Sequence, residues 1–406
     1  MNESSAIQDG NRWEDQPVIL SGCRTPIGTL LGDLSTIPAP ELGAIAVRGA
    51  LRRCGVDPEQ VDEVIMGNVL PGGMGGAPAR QVGIKAGITV ESSALTVNKM
   101  CGSGLKAVML AAQGIAVGDN EVVVAGGIES MSQAPHLVVG ARRGWKLGDQ
   151  ELFDSMLRDG LVCPFVERHV GHQADYIART KNVSREDQDR FALESHRRAV
   201  AAIESGAFKG EIEPVEVPAR MGATTVSVDQ GPRPDTTLEK LARLKPTFEE
   251  NGTVTPGNAS QISDGAAALV VTSRRYAQAN GKRPMARIVA QASAGIEPKD
   301  VFVAPVLAIN KVLKRAGLSR DDIDLFELNE AFAAQMIACV RPLDLPSEKL
   351  NVHGGSIALG HPIGASGARV LVTLLHAMRL RGAKRGLVSF CLGGGGGVAM
   401  IIEAEQ

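Results

Sequence analysis

Aromatic residues make up only 3% of this 406-residue chain, so its core must be aliphatic, and 47 glycines let backbones approach one another closely. Charge of one sign is lacking too. The formal net charge is −2 and no block of lysine and arginine stands out, which argues against a polyanion groove and against nucleic acid as a partner. Cysteines are few and scattered, at 23, 54, 101, 163, 339 and 391. None forms a CxxC pair or lies beside a spaced histidine pair, so neither a zinc site nor a disulfide framework is expected. That usage fits a reducing compartment. No apolar run reaches about 18 residues, and no membrane span is expected. Residues 1–16 are polar and acidic, without the basic and apolar regions of a signal peptide, and read as a flexible arm. The last residues, Glu403-Ala404-Glu405-Gln406, are no peroxisomal address. The expected location is cytoplasmic.

What is present is an ordinary globular composition, 44% hydrophobic and 22% charged. The length predicts roughly two to three domains, or one large two-lobed one. One stretch organises the rest: Asn98-Lys99-Met100-Cys101-Gly102-Ser103-Gly104-Leu105-Lys106-Ala107. Ser93 to Val97 before it reads as the end of a strand. Leu105, Val108, Met109, Ala112 and Ile115 after it recur at helical spacing, which predicts a helix from Gly102 onward. A cysteine at such a junction gains from the helix's positive end, which predicts a lowered thiol pKa and a nucleophilic thiolate. A buried structural cysteine is the alternative that this stretch alone leaves open.

Taken in order, Val18 to Ser21 reads as a strand, Leu42 to Cys54 as an amphipathic helix and Val61 to Asn68 as a strand. Val122 to Ala125 reads as a strand that stops at Gly126-Gly127. This alternation predicts an α/β sheet with helices on its faces. Between Met131 and about Thr247 the texture changes to recurrent proline and glycine, clustered charge and two amphipathic helices, Gly171–Lys181 and Ser184–Glu204. Ser184 supplies an N-cap ahead of acidic Glu186 and Asp187. The segment reads as an insertion covering the sheet.

The second half repeats the first. Gly55 and Gly317 lie 262 residues apart in matching contexts, Cys101 and His361 lie 260 apart, and Gly126 and Gly393 lie 267 apart, all in the same order. Two copies packed about a pseudo-two-fold axis would set the helix starts bearing Cys101 and His361 face to face. A thiol beside an imidazole is a nucleophile with its base. His361 sits in Leu359-Gly-His-Pro-Ile-Gly-Ala-Ser-Gly367, and Cys391 ends an apolar strand before Gly393 to Gly397. That glycine run lacks the lysine of a P-loop and the spacing of a dinucleotide fingerprint. It suits close backbone approach to a thioester, with an N–H free for an oxyanion. Asn329, in Asn329-Glu-Ala-Phe332 at another strand end, reads as a turn residue or as an amide that fixes a water.

Together the blocks Asn98-Lys-Met-Cys101-Gly-Ser-Gly, Asn329-Glu-Ala-Phe332, Gly360-His361-Pro-Ile-Gly-Ala-Ser-Gly and Cys391-Leu-Gly-Gly-Gly resemble the thiolase family, as do Ala125-Gly-Gly-Ile-Glu-Ser-Met-Ser132 and Gly257-Asn-Ala-Ser260-Gln-Ile-Ser-Asp-Gly265. The resemblance runs from about Pro17 to Glu403. It implies a five-layer αβαβα fold of two duplicated halves with an inserted loop domain. The parts would be residues 17–130 plus 248–280, the insertion 131–247, and residues 281–406. It implies an acyltransferase that joins two acetyl-CoA into acetoacetyl-CoA, or cleaves 3-ketoacyl-CoA with CoA, through an acyl-Cys101 intermediate. In that scheme His361 takes the Cys101 proton, and Cys391 protonates the departing CoA and removes the α-proton of the second substrate. Asn329 holds a water, and the N–H groups of Cys101 and Gly393 receive the oxyanion. Leu161, His169, Arg233, Ser260 and Phe332 would contact CoA, which is a substrate; no metal and no permanently bound cofactor are implied. A homo-oligomer, dimer or tetramer, and a place in fatty-acid metabolism follow from the same resemblance.

Departures from the family pattern bear on chain length. Val170 stands where methionine is common, Pro256 where alanine is usual, Lys240 at a position often given to serine, and Phe302-Val303-Ala304-Pro305 where a glycine-rich segment is typical. A preference for longer 3-ketoacyl-CoA is therefore the alternative. A ketoacyl synthase would need a histidine at Cys391, a hydrolase gives Cys391 no role, and a non-catalytic lipid carrier of the same shape would not need all four residues.

Overall fold

The computed structural model describes residues 14–219 and 222–405. Two sheets of the same topology dominate it. The first half supplies β1 (Pro17–Arg24), α1 (Ala39–Cys54), β2 (Glu63–Gly67), α2 (Pro78–Ala86), β3 (Ser93–Val97), α3 (Ser103–Val117), β4 (Val122–Ser130) and, after the insertion, β5 (Ser263–Ser273). The second supplies β6 (Ala286–Gly295), α6 (Ala304–Ala316), β7 (Leu325–Leu328), α7 (Ala333–Leu343), α8 (Ile363–Arg381), β8 (Arg385–Leu392) and β9 (Gly396–Ala404). Strand order is β3-β2-β4-β5-β1 in one half and β7-β8-β9-β6 in the other, with Leu350 bridged to Phe326 where β3 has its counterpart. A short antiparallel pairing of Val18 and Ile19 with Arg287 and Ala286 joins the two sheets at one corner.

The duplication reaches individual hydrogen bonds. Asp62, just before β2, accepts the N–H groups of Glu121 and Val122 at 2.8 and 2.9 Å, and Asp324, just before β7, accepts those of Lys384 and Arg385 at 2.8 Å. Helices α1 and α6 both end on a left-handed glycine, Gly55 at φ 63° and Gly317 at φ 66°. Each first strand carries a bulge against its neighbour, Ile19/Ser21 in β1 and Ile288/Ala290 in β6. Alternation along the strands makes the layers. In β5, Ala267, Leu269 and Val271 face the centre, while Ala266, Ala268 and Val270 face α1 and α2. In β9, Val398, Met400 and Ile402 face the centre, while Ala399 and Ile401 face α6. The result is five layers, α1/α2, sheet, α3/α8, sheet and α6/α7, and each buried aliphatic side chain contributes about 1.5–3 kcal/mol.

Two sequence expectations change at the centre. Met100–Val117 is by length and composition apolar enough to cross a membrane, against the sequence expectation; here it is the Cys101 loop and the central helix, packed into the core between the sheets with its C-terminal end exposed. The strand expected to stop at Gly126-Gly127 instead continues to Ser130. These glycines lie where chains touch rather than where a strand ends: a Cβ at Gly127 would overlap the carbonyl oxygen of Gly364, and one at Gly126 that of Ala267. The helices α3 and α8 meet in the same way. A Cβ at Gly104 would stand 2.7 Å from the Ala368 nitrogen, and one at Gly367 would overlap the Leu105 nitrogen. Backbone cannot move aside as a side-chain tip can. Gly367→Ala is therefore expected to destabilise the protein by about 3 kcal/mol, lowering the unfolding midpoint in a thermal melt, whereas Gly295→Ala, with nothing within 4 Å of its Cβ, leaves it unchanged.

The insertion carries α4 (Val170–Thr180) and α5 (Arg185–Glu204), close to the expected bounds. Ser184 caps α5, its side chain accepting the Asp187 N–H at 3.1 Å. Buried Arg24 at the end of β1 fastens the segment, donating to Glu211 at 2.6 Å and to both oxygens of Asp229 at 2.7 and 2.9 Å. Residues 1–13 of the expected arm lie outside the described residues. Gln16, at its end, accepts from the Arg274 backbone N–H at 2.9 Å.

Candidate active site

Cys101 lies in a loop that its own side chains close. Ser103 Oγ accepts the Lys99 N–H at 2.8 Å and donates to the Met100 carbonyl at 2.6 Å, and Asn98 Oδ1 accepts the Met100 N–H at 3.0 Å. Met100 sits at φ 50°, a left-handed conformation that costs a non-glycine residue about 1–2 kcal/mol. Gly102 makes room for Leu392 at the end of β8, which brings the glycine run against the loop. Two backbone N–H groups, from Gly393 and from Cys101 itself, hydrogen-bond to the thiol and pull its pKa down. Burial outweighs them and pushes it up to about 11. The lowered pKa expected from the helix start is thus overturned: α3 contributes its positive end, but the apolar wall of Val69, Leu70, Met131 and Ile363 removes the solvent a thiolate needs.

His361 is buried and held at three points. Its backbone N–H donates to the Gln261 carbonyl at 2.9 Å, its Nδ1 lies 2.6 Å from Ser366 Oγ, and its Nε2 lies 3.4 Å from Asn329 Nδ2. The Ser366 hydroxyl donates to the Pro362 carbonyl at 2.9 Å, so its oxygen is left to accept Nδ1–H. This assignment leaves the lone pair on Nε2, facing the Asn329 amide. Burial, reinforced by Arg369, lowers the imidazole pKa to about 3. Asn329 cannot flip: its Oδ1 accepts from Ser356 Oγ at 2.7 Å, and Ser356 Oγ accepts from Arg369 Nη2 at 2.7 Å.

Cys391, next to the end of β8, is buried among Val301, Phe302, Ala331 and Phe332, with Val170 packed on the same cluster. Burial, Cys101 and Cys339 all raise its pKa well above the usual thiol value, which keeps it protonated. Cys101 and Cys391 are close enough to feel one another's charge, and Ile363, two residues after His361, packs in the cluster that covers Cys101. Four chain segments thus converge on one apolar space with a thiol, a second thiol, a neutral imidazole and an amide.

The expected CoA residues divide. Leu161 packs in the cluster around Cys101. His169 stacks on Phe248 with ring centroids 4.6 Å apart, Phe248 meets Phe332 edge-on, and Ala259, beside Ser260, bridges Phe332. Arg233 stands apart on an exposed stretch, its backbone N–H donating to His196 Nδ1 at 3.1 Å. Of the departures from the family pattern, Val170 and Phe302 join Cys391, Pro256 is exposed, and Lys240 pairs with Asp235 at 2.6 Å. The sequence reading missed Ser366, Ser356, Arg369 and Glu129. Ser366 lies inside the quoted His361 block and Glu129 inside the quoted Ala125–Ser132 block, but neither position has a spacing that announces a partner.

Comparison with known proteins places the whole chain, rather than single residues, in a known family. The thiolase N-terminal domain profile matches residues 17–275 and the thiolase C-terminal domain profile residues 282–404. An acetyl-CoA acetyltransferase of Pseudomonas aeruginosa is 51% identical over 389 residues, covering 96% of this chain and 99% of its own. Among solved structures, the Bacillus anthracis acetyl-CoA acetyltransferase superposes with a TM-score of 0.95 at 42% identity, over 97% of this chain and 100% of that one. The human mitochondrial 3-ketoacyl-CoA thiolase gives 0.94 at 43%, with the same coverage.

Proposed function

We propose a division of labour within the site from the premise that the chain belongs to the thiolase family. It is an acyltransferase that works on acetyl-CoA and acyl-CoA thioesters, joining two acetyl units in a reversible Claisen condensation. Cys101 is the nucleophile. A thiol at about 11 and an imidazole at about 3 are some eight pH units apart. Forming the ion pair in advance is therefore unfavourable. Thiol and imidazole rest neutral, and His361 Nε2 takes the proton only as the sulfur–carbon bond forms. The carbonyl oxygen then becomes an oxyanion, and the N–H groups of Cys101 and Gly393 receive it. Collapse gives the acyl-Cys101 thioester and CoA, with Cys391 supplying the proton to the departing sulfur. With a second acetyl-CoA, Cys391 takes the α-proton, and the enolate oxygen is held by His361 and a water on Asn329. The observation that carries this reading is the convergence of two N–H groups on the Cys101 thiol, in a space that also holds Cys391, a neutral His361 and the Asn329 amide.

CoA lies along Leu161, His169, Ser260 and Phe332 in this scheme, with Arg233 serving the phosphate end. Assembly as a dimer or tetramer belongs to the same proposal, supported by the exposed apolar residues Val90, Leu95, Trp145, Leu147 and Leu152; light scattering on purified protein counts the protomers. A cytoplasmic location and a role in fatty-acid metabolism rest on the sequence reading.

Substrate length is tested by following the magnesium-enolate absorbance as the protein cleaves acetoacetyl-CoA or 3-ketododecanoyl-CoA with free CoA. We expect kcat/KM for the short substrate to exceed that for the long one by about tenfold or more. The reverse ranking would move the preference to long chains and make Val170 and Phe302, packed beside Cys391, its determinants.

A further inference from the structure

Four N–H donors converge on one buried carboxylate that the reaction scheme does not use. Glu129, at 0% exposure near the end of β4, accepts on Oε1 from Asn68 Nδ2 at 2.7 Å and the Leu70 N–H at 3.2 Å. On Oε2 it accepts the Val69 N–H at 3.0 Å and the Gly364 N–H at 2.8 Å. Asn68 to Leu70 form the loop after β2, whereas Gly364 lies in the first turn of α8, three residues beyond His361. One side chain of the first half therefore holds the helix start of the second. The approach is tight: a Cβ at Gly364 would stand 2.6 Å from Glu129 Oε2 and 2.8 Å from the Asn68 Cα. Val69, Leu70 and Ile363, all on segments that Glu129 fastens, form the apolar wall against which Cys101 packs.

We propose that Glu129 is a positioning residue whose ionised carboxylate sets the His361-bearing turn and the wall of the acyl pocket against Cys101. The assignment rests on the thiolase reading in so far as it places the acyl transfer at Cys101. Only the ionised form accepts on both oxygens from four donors. A proton on Oε2 would point at the Gly364 and Val69 N–H groups and release the second-half helix start, and one on Oε1 would displace Asn68 and Leu70. Burial, with Asp264 on β5 adding to it, raises the Glu129 pKa to about 7 against the pull of the Val69, Gly364 and Leu70 N–H groups. Cys101, on the loop before α3, feels the Glu129 charge, and His361 is the titratable group at the start of α8. Asn68, Val69 and Leu70 carry no charge. The anchoring form is present above about 7 and lost below it, so the rate of acyl transfer should rise with pH through that value.

The test is exchange of labelled CoA with acetyl-CoA by the full chain, from about pH 5.5 to 8.5, in wild type, Glu129→Gln and Glu129→Asp. Wild type is expected to gain about tenfold across the range, with its midpoint near 7. Glu129→Gln should lose that inflection and about 30-fold of the plateau, because its amide turns an N–H toward the Gly364 and Val69 donors or toward Asn68 and Leu70. KM for acetyl-CoA should change less than about threefold. Glu129→Asp, a carboxylate on a shorter stem, should keep the inflection at a plateau about tenfold lower. An inflection near 7 that persists in Glu129→Gln, or a flat profile for Glu129→Asp, overturns the assignment. Wild type that exchanges no label at any pH contradicts the thiolase reading itself, and that result is distinct from an active wild type whose inflection ignores position 129.

Discussion

Alanine at position 101 is expected to reduce acetoacetyl-CoA thiolysis by about four orders of magnitude while leaving the fold intact. The whole covalent route passes through this sulfur, so no neighbouring group can inherit the step. Cys391 is a thiol too, but burial and two nearby cysteines hold its pKa well above the usual value, and no pair of N–H groups is shown converging on it as on Cys101. The substitution removes a single side-chain heavy atom, so the fold is kept. KM for the acyl-CoA should therefore stay within a few-fold while kcat collapses, as the enolate absorbance would report. Serine at 101 is expected to do no better. Its hydroxyl holds its proton more tightly than a thiol already pushed up to about 11, and His361, lowered to about 3, is too weak a base to compensate.

The second large effect separates the two halves of the reaction. Cys391→Ser should lower thiolysis and condensation by about a thousandfold while exchange of label between CoA and acetyl-CoA falls by no more than about thirtyfold. The reason lies in what each step asks of the residue. A CoA thiolate leaves readily even without a proton donor. A carbon acid next to a thioester does not give up its proton without a base beside it. Cys391 sits among Phe302, Phe332, Val301 and Ala331, and a serine hydroxyl is a far weaker base than a thiolate. Equal losses in exchange and in thiolysis would instead make Cys391 a partner in acylation alone.

Much of this architecture was legible in the sequence because duplication writes itself twice. Gly55 and Gly317, matched in the sequence as landmarks of the repeat, stand in the structure as equivalent left-handed helix caps. The offset between Cys101 and His361 predicted facing helix starts, and α3 and α8 do cross at Gly104 and Gly367. Helix ends in the insertion were readable from Ser184 and the periodicity after it. What failed to show were properties set by enclosure. Gly126-Gly127 looked like a strand end because glycine usually weakens strands; the structure uses the missing side chains to let α8 touch β4. The thiol pKa was misjudged because the sequence displays the helix start but not the wall of Val69, Leu70, Met131 and Ile363 over the sulfur. Ser356, Ser366 and Arg369 stayed invisible for the same reason: their roles come from three-dimensional neighbours of Asn329 and His361, not from spacing along the chain. Arg233 shows the opposite case, a residue singled out by resemblance whose position on an exposed stretch leaves its contact with the site to be tested by substitution.

The most direct measurement of the central claim is the mass of peptides from protein mixed with acetyl-CoA and quenched in acid. Digestion separates the peptides bearing Cys101 and Cys391, and each is read for an added acetyl group. The acyl-enzyme scheme predicts acetyl on the Cys101 peptide, removed when free CoA is added before the quench. Acetyl on the Cys391 peptide, or an unmodified Cys101 in protein that still cleaves acetoacetyl-CoA, would contradict it.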